Sequence, residues 1–323
     1  MNNVKDKKSI FRFIGNFGTI IGLIAIIIIF SILRPNAFLT LNNILNVLNN
    51  ASLLAIIACG LTAVVIVGEF DMSIAYIASF SGVFVCGLMV KQGLPVAAAI
   101  LVTVAVGILF GAFNGIVVTK LNVTSVIATI GSGSLIYGLN YAYTNGSPVL
   151  TGIPEAFPNL TLIRIFSKIP INVIYMLVIV LILWILLNRT EIGERIKAIG
   201  GNITASKLAG INTDRIKIIT YCISGACASI TGILLASVMG SGTSSAGDAY
   251  LMNSFACVYV GAATLKDGEF HVIGTIIGVL IIQLGFNGLS ILGVPVYAQY
   301  LFQGFIILAS VALSTISRRY AQK

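Results

Sequence analysis

The sequence predicts an all-α polytopic membrane protein, on three observations. Of its 323 residues, 58% are hydrophobic and only 9% are charged, against about 25% charged in a soluble globular domain. The apolar residues gather in runs of roughly 20, the length that crosses a bilayer core as a helix. The 33 glycines suit close helix contacts in lipid. With a mean hydropathy of +1.04, lipid must be the solvent of most of the chain. That excludes a cytosolic enzyme, a secreted disulfide scaffold and a disordered protein.

Ten apolar segments follow in order: 14–33, 51–67, 72–90, 96–118, 123–143, 171–187, 218–238, 249–265, 272–289 and 296–314. The first follows Lys5-Asp6-Lys7-Lys8 and is too long for a signal-peptide core. With no small-residue cleavage site after Arg34-Pro35, it reads as an uncleaved first span. With the N-terminus in the cytoplasm and ten crossings, 15 of the 19 basic residues lie inside. Only Arg34, Lys91, Arg164 and Lys168 lie outside, as the positive-inside rule demands. The expected layout is a single transmembrane domain over 1–323, with cytoplasmic tails at 1–13 and 316–323 and a cytoplasmic loop at 188–217. The net charge of +9 is divided among short stretches between apolar runs, which argues against a nucleic-acid face. Cys59, Cys86, Cys222, Cys227 and Cys257 lie inside apolar runs without a CxxC pair and read as small buried hydrophobes.

Internal symmetry supports the count. Phe113-Asn114-Gly115 ends the fourth segment and Phe286-Asn287-Gly288 the ninth, 173 residues apart. The same offset carries the acidic turn Gly68-Glu69-Phe70-Asp71-Met72-Ser73 near residues 240–248. Segments n and n+5 would run in opposite directions, so the expectation is an inverted five-plus-five repeat, an arrangement found in transporters.

The loop 188–217 holds six of the 19 basic residues and three of the ten acids. Asn202 or Thr204 can cap a short helix over 204–209, and Gly210 can take the left-handed position that ends it. Such a helix is either a docking element or part of a loop that only anchors topology.

Here the chain resembles ABC-importer permeases of the ribose, galactose and xylose type. The match runs through Gly193-Glu194-Arg195-Ile196-Lys197-Ala198-Ile199-Gly200-Gly201-Asn202, then Ala205 and Gly210-Ile211-Asn212. It continues at Ser224-Gly225, Gly232-Ile233-Leu234, Gly274-Thr275-Ile276-Ile277-Gly278, Asn287-Gly288-Leu289 and Gln303-Gly304. The resemblance implies a coupling helix that touches a cytoplasmic ATPase, carried by Glu194, Arg195, Gly201, Asn202, Thr204, Ala205, Lys207, Leu208, Gly210 and Ile211. It also implies two permease copies, identical or not, an ATPase that binds ATP and Mg, an extracytoplasmic solute-binding protein, and a monosaccharide or similar small polar solute. The family's first-half signature G-G-I-D-L-S-V-G reads here Gly68-Glu69-Phe70-Asp71-Met72-Ser73-Ile74-Ala75, and its second-half stretches also differ over 249–268. A nucleoside, a signalling molecule, a branched-chain amino acid or an ion-coupled secondary transporter therefore stay open as alternatives.

Polar residues inside apolar segments are the candidate substrate path: Glu69, Asp71, Ser73, Asn114, Asn140, Gln283, Asn287 and Gln303. A carboxylate buried in hydrocarbon costs on the order of 3 kcal/mol or more, so Glu69 and Asp71 either serve a broken-helix turn on the path or lie in a plain cytoplasmic turn. Amides both donate and accept, which suits a polyhydroxyl solute; equally, they can bond neighbouring helices. His271, the one histidine, sits at a membrane edge. No G-x-x-x-x-G-K-[ST] loop, metal-ligand cluster or activated nucleophile is legible. The expectation is a transport subunit that is not an enzyme and carries no cofactor or metal of its own.

Overall fold

The computed structural model describes residues 19–262 and 269–321. The tail expected at 1–13, the first residues of the opening segment, Lys266 with its neighbours in 263–268, and residues 322–323 lie outside the described residues. Among the described residues there are fourteen helices and one short hairpin. In chain order they are α1 (Thr19–Leu33), α2 (Pro35–Phe38), α3 (Leu41–Ile66), α4 (Ile74–Val90), α5 (Val96–Lys120), α6 (Ser125–Thr144), α7 (Ala156–Leu162), β1 (Arg164–Ile165) and β2 (Ile169–Pro170). After these come α8 (Ile171–Arg189), α9 (Glu191–Gly201), α10 (Ile203–Leu208), α11 (Thr213–Met239), α12 (Asp248–Ala262), α13 (Val272–Ile291) and α14 (Tyr297–Ala321).

The described parts of all ten apolar segments fall mainly on helices. Five of these, α3, α5, α8, α11 and α13, are long and apolar enough to cross a membrane, and α1, α4 and the first part of α14 are shorter apolar helices. The fold is an all-α polytopic membrane architecture. Its described residues divide into two compact units, Ser52–Met252 and the pair Met1–Ala51 with Asn253–Lys323.

The first unit is built on α11. Lipid chains are as apolar as leucine, so helices associate by close fit and hydrogen bonds rather than by escape from water. α5 runs antiparallel along α11 on Gly107, Gly111 and Gly115, one per helical turn. A Cβ at these positions would meet Ser229, the Tyr221 carbonyl and Ile218 in turn. Gly225 answers from α11, where a side chain would strike the Gly107 carbonyl. On another side, Gly232 lies against the Ala78 carbonyl of α4, and Gly60 of α3 lies against Cys227. Phe157 of α7 closes a cluster with Val85, Leu88, Met89, Ala99 and Ile233.

The second unit uses the same devices. Gly278 meets the Cys257 carbonyl, Gly285 the Phe302 ring and Gly288 the Phe30 ring. Asn43 and Asn287 exchange hydrogen bonds at 2.9 and 2.8 Å, and Gln303 donates to Asn253 at 2.8 Å.

The departures from expectation are local. α3 begins ten residues before the apolar segment 51–67, because a helix needs backbone bonds and not apolarity, and its added turns carry several asparagines. α14 continues past residue 314 to Ala321. α7 and the β1–β2 hairpin occupy the stretch between the fifth and sixth apolar segments, and the loop 188–217 holds two helices where one was expected.

Candidate functional site

The centre of the first unit is the loop between α3 and α4. α3 stops because Gly68 takes a left-handed φ of 82°, letting the Gly68 and Glu69 amides donate back to Val65 and Val64. The chain then runs past α11 and α6, which satisfy its backbone. Tyr221 donates its hydroxyl to the Phe70 carbonyl at 2.9 Å, while the Phe70 and Met72 amides donate to Ser125 and Thr129 at 3.2 and 3.0 Å.

Asp71 is fully buried at 0% exposure. Its Oδ1 accepts from the Ser73 amide at 3.0 Å and the Ser73 hydroxyl at 2.6 Å, and its Oδ2 accepts from Ser224 at 2.8 Å. Asn114 donates its amide to the Ser73 hydroxyl at 2.8 Å, leaving its own carbonyl oxygen buried and unpartnered. Glu69 pairs with Lys217 of α11, both side chains about 15% exposed. Ser224 lies two helical turns beyond Lys217, so the loop dips roughly 10 Å along α11 toward its middle. The acidic turn is therefore buried, with Glu69, Asp71, Ser73 and Asn114 brought together. Sequence reading missed Ser224, Tyr221, Ser125 and Thr129, because a lone hydroxyl in an apolar helix is indistinguishable from a packing residue until its partner is known.

The remaining candidates lie elsewhere. Asn140 of α6 is 1% exposed and donates to the Ser244 carbonyl at 3.1 Å. Asn287 and Gln303 hold helices of the second unit together, and Gln283 is half-buried on α13. For Asn287 and Gln303 the helix-bonding alternative is the one the geometry realises. His271 caps α13, its Nδ1 accepting from the Gly274 amide at 2.7 Å.

The loop 188–217 is ordered from its caps. Thr190 accepts from Gly193 at 3.3 Å and starts α9, whose surface carries the pairs Arg195–Glu191 and Lys197–Glu194. Both Gly193 and Gly200 are close-approach positions: a Cβ would strike the Leu186 and Leu187 carbonyls at one, and the Ile66 carbonyl at the other. α9 is thereby folded against the end of α8 and seated under the last residue of α3. Asn202, not Thr204, is the cap of α10, accepting from Ala205 at 3.0 Å. Gly210 closes α10 with a φ of 80° and a Schellman pair, its amide bonding Lys207 and that of Ile211 bonding Ser206. Every residue of α10 except Ser206 is exposed, and Leu208 is 86% exposed.

Long apolar helices around a buried carboxylate, with a capped helical loop between two of them, define a multi-pass membrane protein of the transport class. The chain belongs to the family described as the permease component of the branched-chain amino acid transport system, whose model matches residues 43–311. The ribose import permease protein of Escherichia coli (strain K12) is 36% identical over 301 residues, covering 91% of each chain. Its counterpart in Bacillus subtilis (strain 168) is 37% identical over 297 residues, covering 92% of this chain and 91% of that protein. The galactose/methyl galactoside import permease protein of Escherichia coli (strain K12) is 30% identical over 335 residues, covering 98% of each. No solved structure matches the chain. The protein is thus a transport permease subunit of the cytoplasmic membrane rather than an enzyme.

Proposed function

We propose that this chain is the membrane-spanning subunit of a bacterial ABC importer that moves a monosaccharide inward. In this reading it crosses the bilayer ten times as an inverted five-plus-five repeat with both ends in the cytoplasm. It works with a second permease copy, an ATPase that binds ATP and Mg, and an extracytoplasmic binding protein. The observation that carries the reading is the 36–37% identity to two ribose import permeases over nine-tenths of the chain.

The geometry supports a route for the work. Leu208 and its exposed neighbours on α10 offer a small knob that a cytoplasmic ATPase can grip. α9 precedes it, joined through the extended Asn202, and bears on the Ile66 carbonyl through Gly200. Three and five residues further on, the loop is held to α11 by Glu69–Lys217 and Asp71–Ser224. Closure of the ATPase moves α10 and α9, and this shifts the end of α3 and the loop against α11. Alternating access needs two such arrangements, each favoured by a different state of the ATPase.

The family description keeps a branched-chain amino acid as the second solute. Cells lacking this gene are compared with complemented cells for uptake of radiolabelled ribose, galactose and leucine. Loss and restoration of sugar uptake is the expected result. Loss of leucine uptake alone would overturn the sugar assignment.

A further inference from the structure

A second polar cluster lies on α6, away from the buried carboxylate. α6 has 20 residues, enough to cross, yet it falls short of the apolarity of the five long spans because it carries Ser132, Ser134, Tyr137, Asn140, Tyr141 and Tyr143. Tyr137 and Tyr141, one turn apart, are 40% and 46% exposed, with ring centroids 4.9 Å apart and hydroxyls 3.3 Å apart. Tyr76 of α4 packs edge-on against Tyr137 at 6.0 Å and fills the space left by Gly133.

The loop 240–248 closes the other side of this cluster. Asn140 donates to the Ser244 carbonyl, which leaves the Asn140 Oδ1 and the Ser244 Oγ both buried and unpartnered. The Ser79 hydroxyl accepts from the Gly247 amide at 2.9 Å, next to Asp248 at the start of α12. Asp248 is exposed and lies near enough to Tyr137 for the two to interact electrostatically.

An exposed carboxylate does not face acyl chains without a large penalty, so this surface meets water or a polar solute. Tyrosines alone would fit the headgroup region of a bilayer. Two orphaned polar oxygens and a carboxylate beside them do not, since buried polar groups are ordinarily bonded.

We propose that Tyr137, Tyr141, Asn140 and Asp248 form a shelf that holds a neutral polyhydroxyl solute of sugar size in transit. The paired rings take the apolar C–H face of the solute. The Asp248 carboxylate accepts from its hydroxyls, and Asn140, buried and bonded to the Ser244 carbonyl, positions the loop that leads to Asp248. The assignment rests on the sugar-importer reading and names its contact surface.

The test uses the complete importer in proteoliposomes, with ribose and galactose as probes, and reads sugar moved per ATP hydrolysed. A packing defect lowers uptake and hydrolysis together and leaves this ratio unchanged; loss of the shelf lowers it. The Tyr137→Ala/Tyr141→Ala variant is expected to drop the ratio about tenfold, and Asp248→Asn severalfold, while Tyr137→Phe/Tyr141→Phe stays within about twofold of wild type. Asp248 is exposed, so its variant decides the matter even if the double alanine variant does not assemble. A wild-type ratio in Asp248→Asn, or in the alanine variant where it assembles, would overturn the shelf alone. A wild-type importer that moves neither sugar would overturn the importer reading and the shelf with it.

Discussion

At the scale of single residues, the protein holds a buried carboxylate with hydroxyls and an amide. Removing one donor leaves an oxygen of Asp71 buried and unpaired, which costs about 1–3 kcal/mol. Ser224→Ala should therefore lower the melting temperature in detergent, whereas Ser224→Ala combined with Asp71→Asn should lose less than the two single changes added together. Simple additivity would show that Ser224 and Asp71 are energetically separate. The Glu69–Lys217 pair is similarly shielded, and breaking it from either end strands a partly buried charge. Lys217→Met is expected to destabilise by on the order of 2–4 kcal/mol, and Glu69→Gln in the same chain to recover much of it, in the same melts. If adding Glu69→Gln recovers nothing, the pair does not hold the loop. Asp71 stood out in the sequence as an acid among apolar residues, and Asn114 as an amide among them. Their partners did not, since Ser224 lies in a shared Ser-Gly pair that names no partner and Ser125 and Thr129 match no motif; only the approach of three helices reveals them.

At the scale of elements, glycine placement governs how α5 and α11 meet and how the cytoplasmic loop turns. Gly111→Leu would drive a side chain into the Tyr221 carbonyl, and overpacking of this kind costs typically 1–3 kcal/mol. A clear loss of folded protein after mild heating should follow. Gly131→Leu, where nothing lies within 4 Å, should behave as wild type. Equal effects at the two positions would discount the close approach. Gly210 has open space around it but a positive φ, so valine there strains the backbone by about 1–2 kcal/mol without a clash. That strain falls on the end of α10. The expected outcome for Gly210→Val is ATP hydrolysis that continues in the assembled importer with uptake reduced several-fold; normal uptake would remove α10 from the coupling path. The long helices were legible because 20 apolar residues leave few alternatives in lipid. α10 was legible because its cap and its closing glycine are local signals. α7 and α9 were missed because each is short and mixed in polarity, and is held in place by contacts far along the chain, such as Gly200 with Ile66.

At the scale of the whole molecule, the sequence carries no G-x-x-x-x-G-K-[ST] pattern, and the proposed importer draws its energy from a partner that reaches the loop 188–217. The glycines that seat α9 and the φ of Gly210 give physical reasons for the loop positions shared with sugar importers. The turn at 68–75 departs from their signature, yet it keeps Asp71 and Ser73, the two residues that bond each other and the neighbouring helices. What the sequence could not display was which polar residues bind helix to helix and which remain free for a solute, because that depends on partners hundreds of residues away. Asn287 bonds Asn43 on another helix, whereas Asn140 bonds the Ser244 carbonyl and keeps a buried oxygen without a partner. The most direct test of this account is to purify the chain gently from its native membrane and identify by mass spectrometry what comes with it. Recovery of an ABC ATPase and a solute-binding protein, with the ATPase lost on Leu208→Asp, is the predicted result. Recovery of the chain alone, intact and able to move solute without ATP, would contradict it.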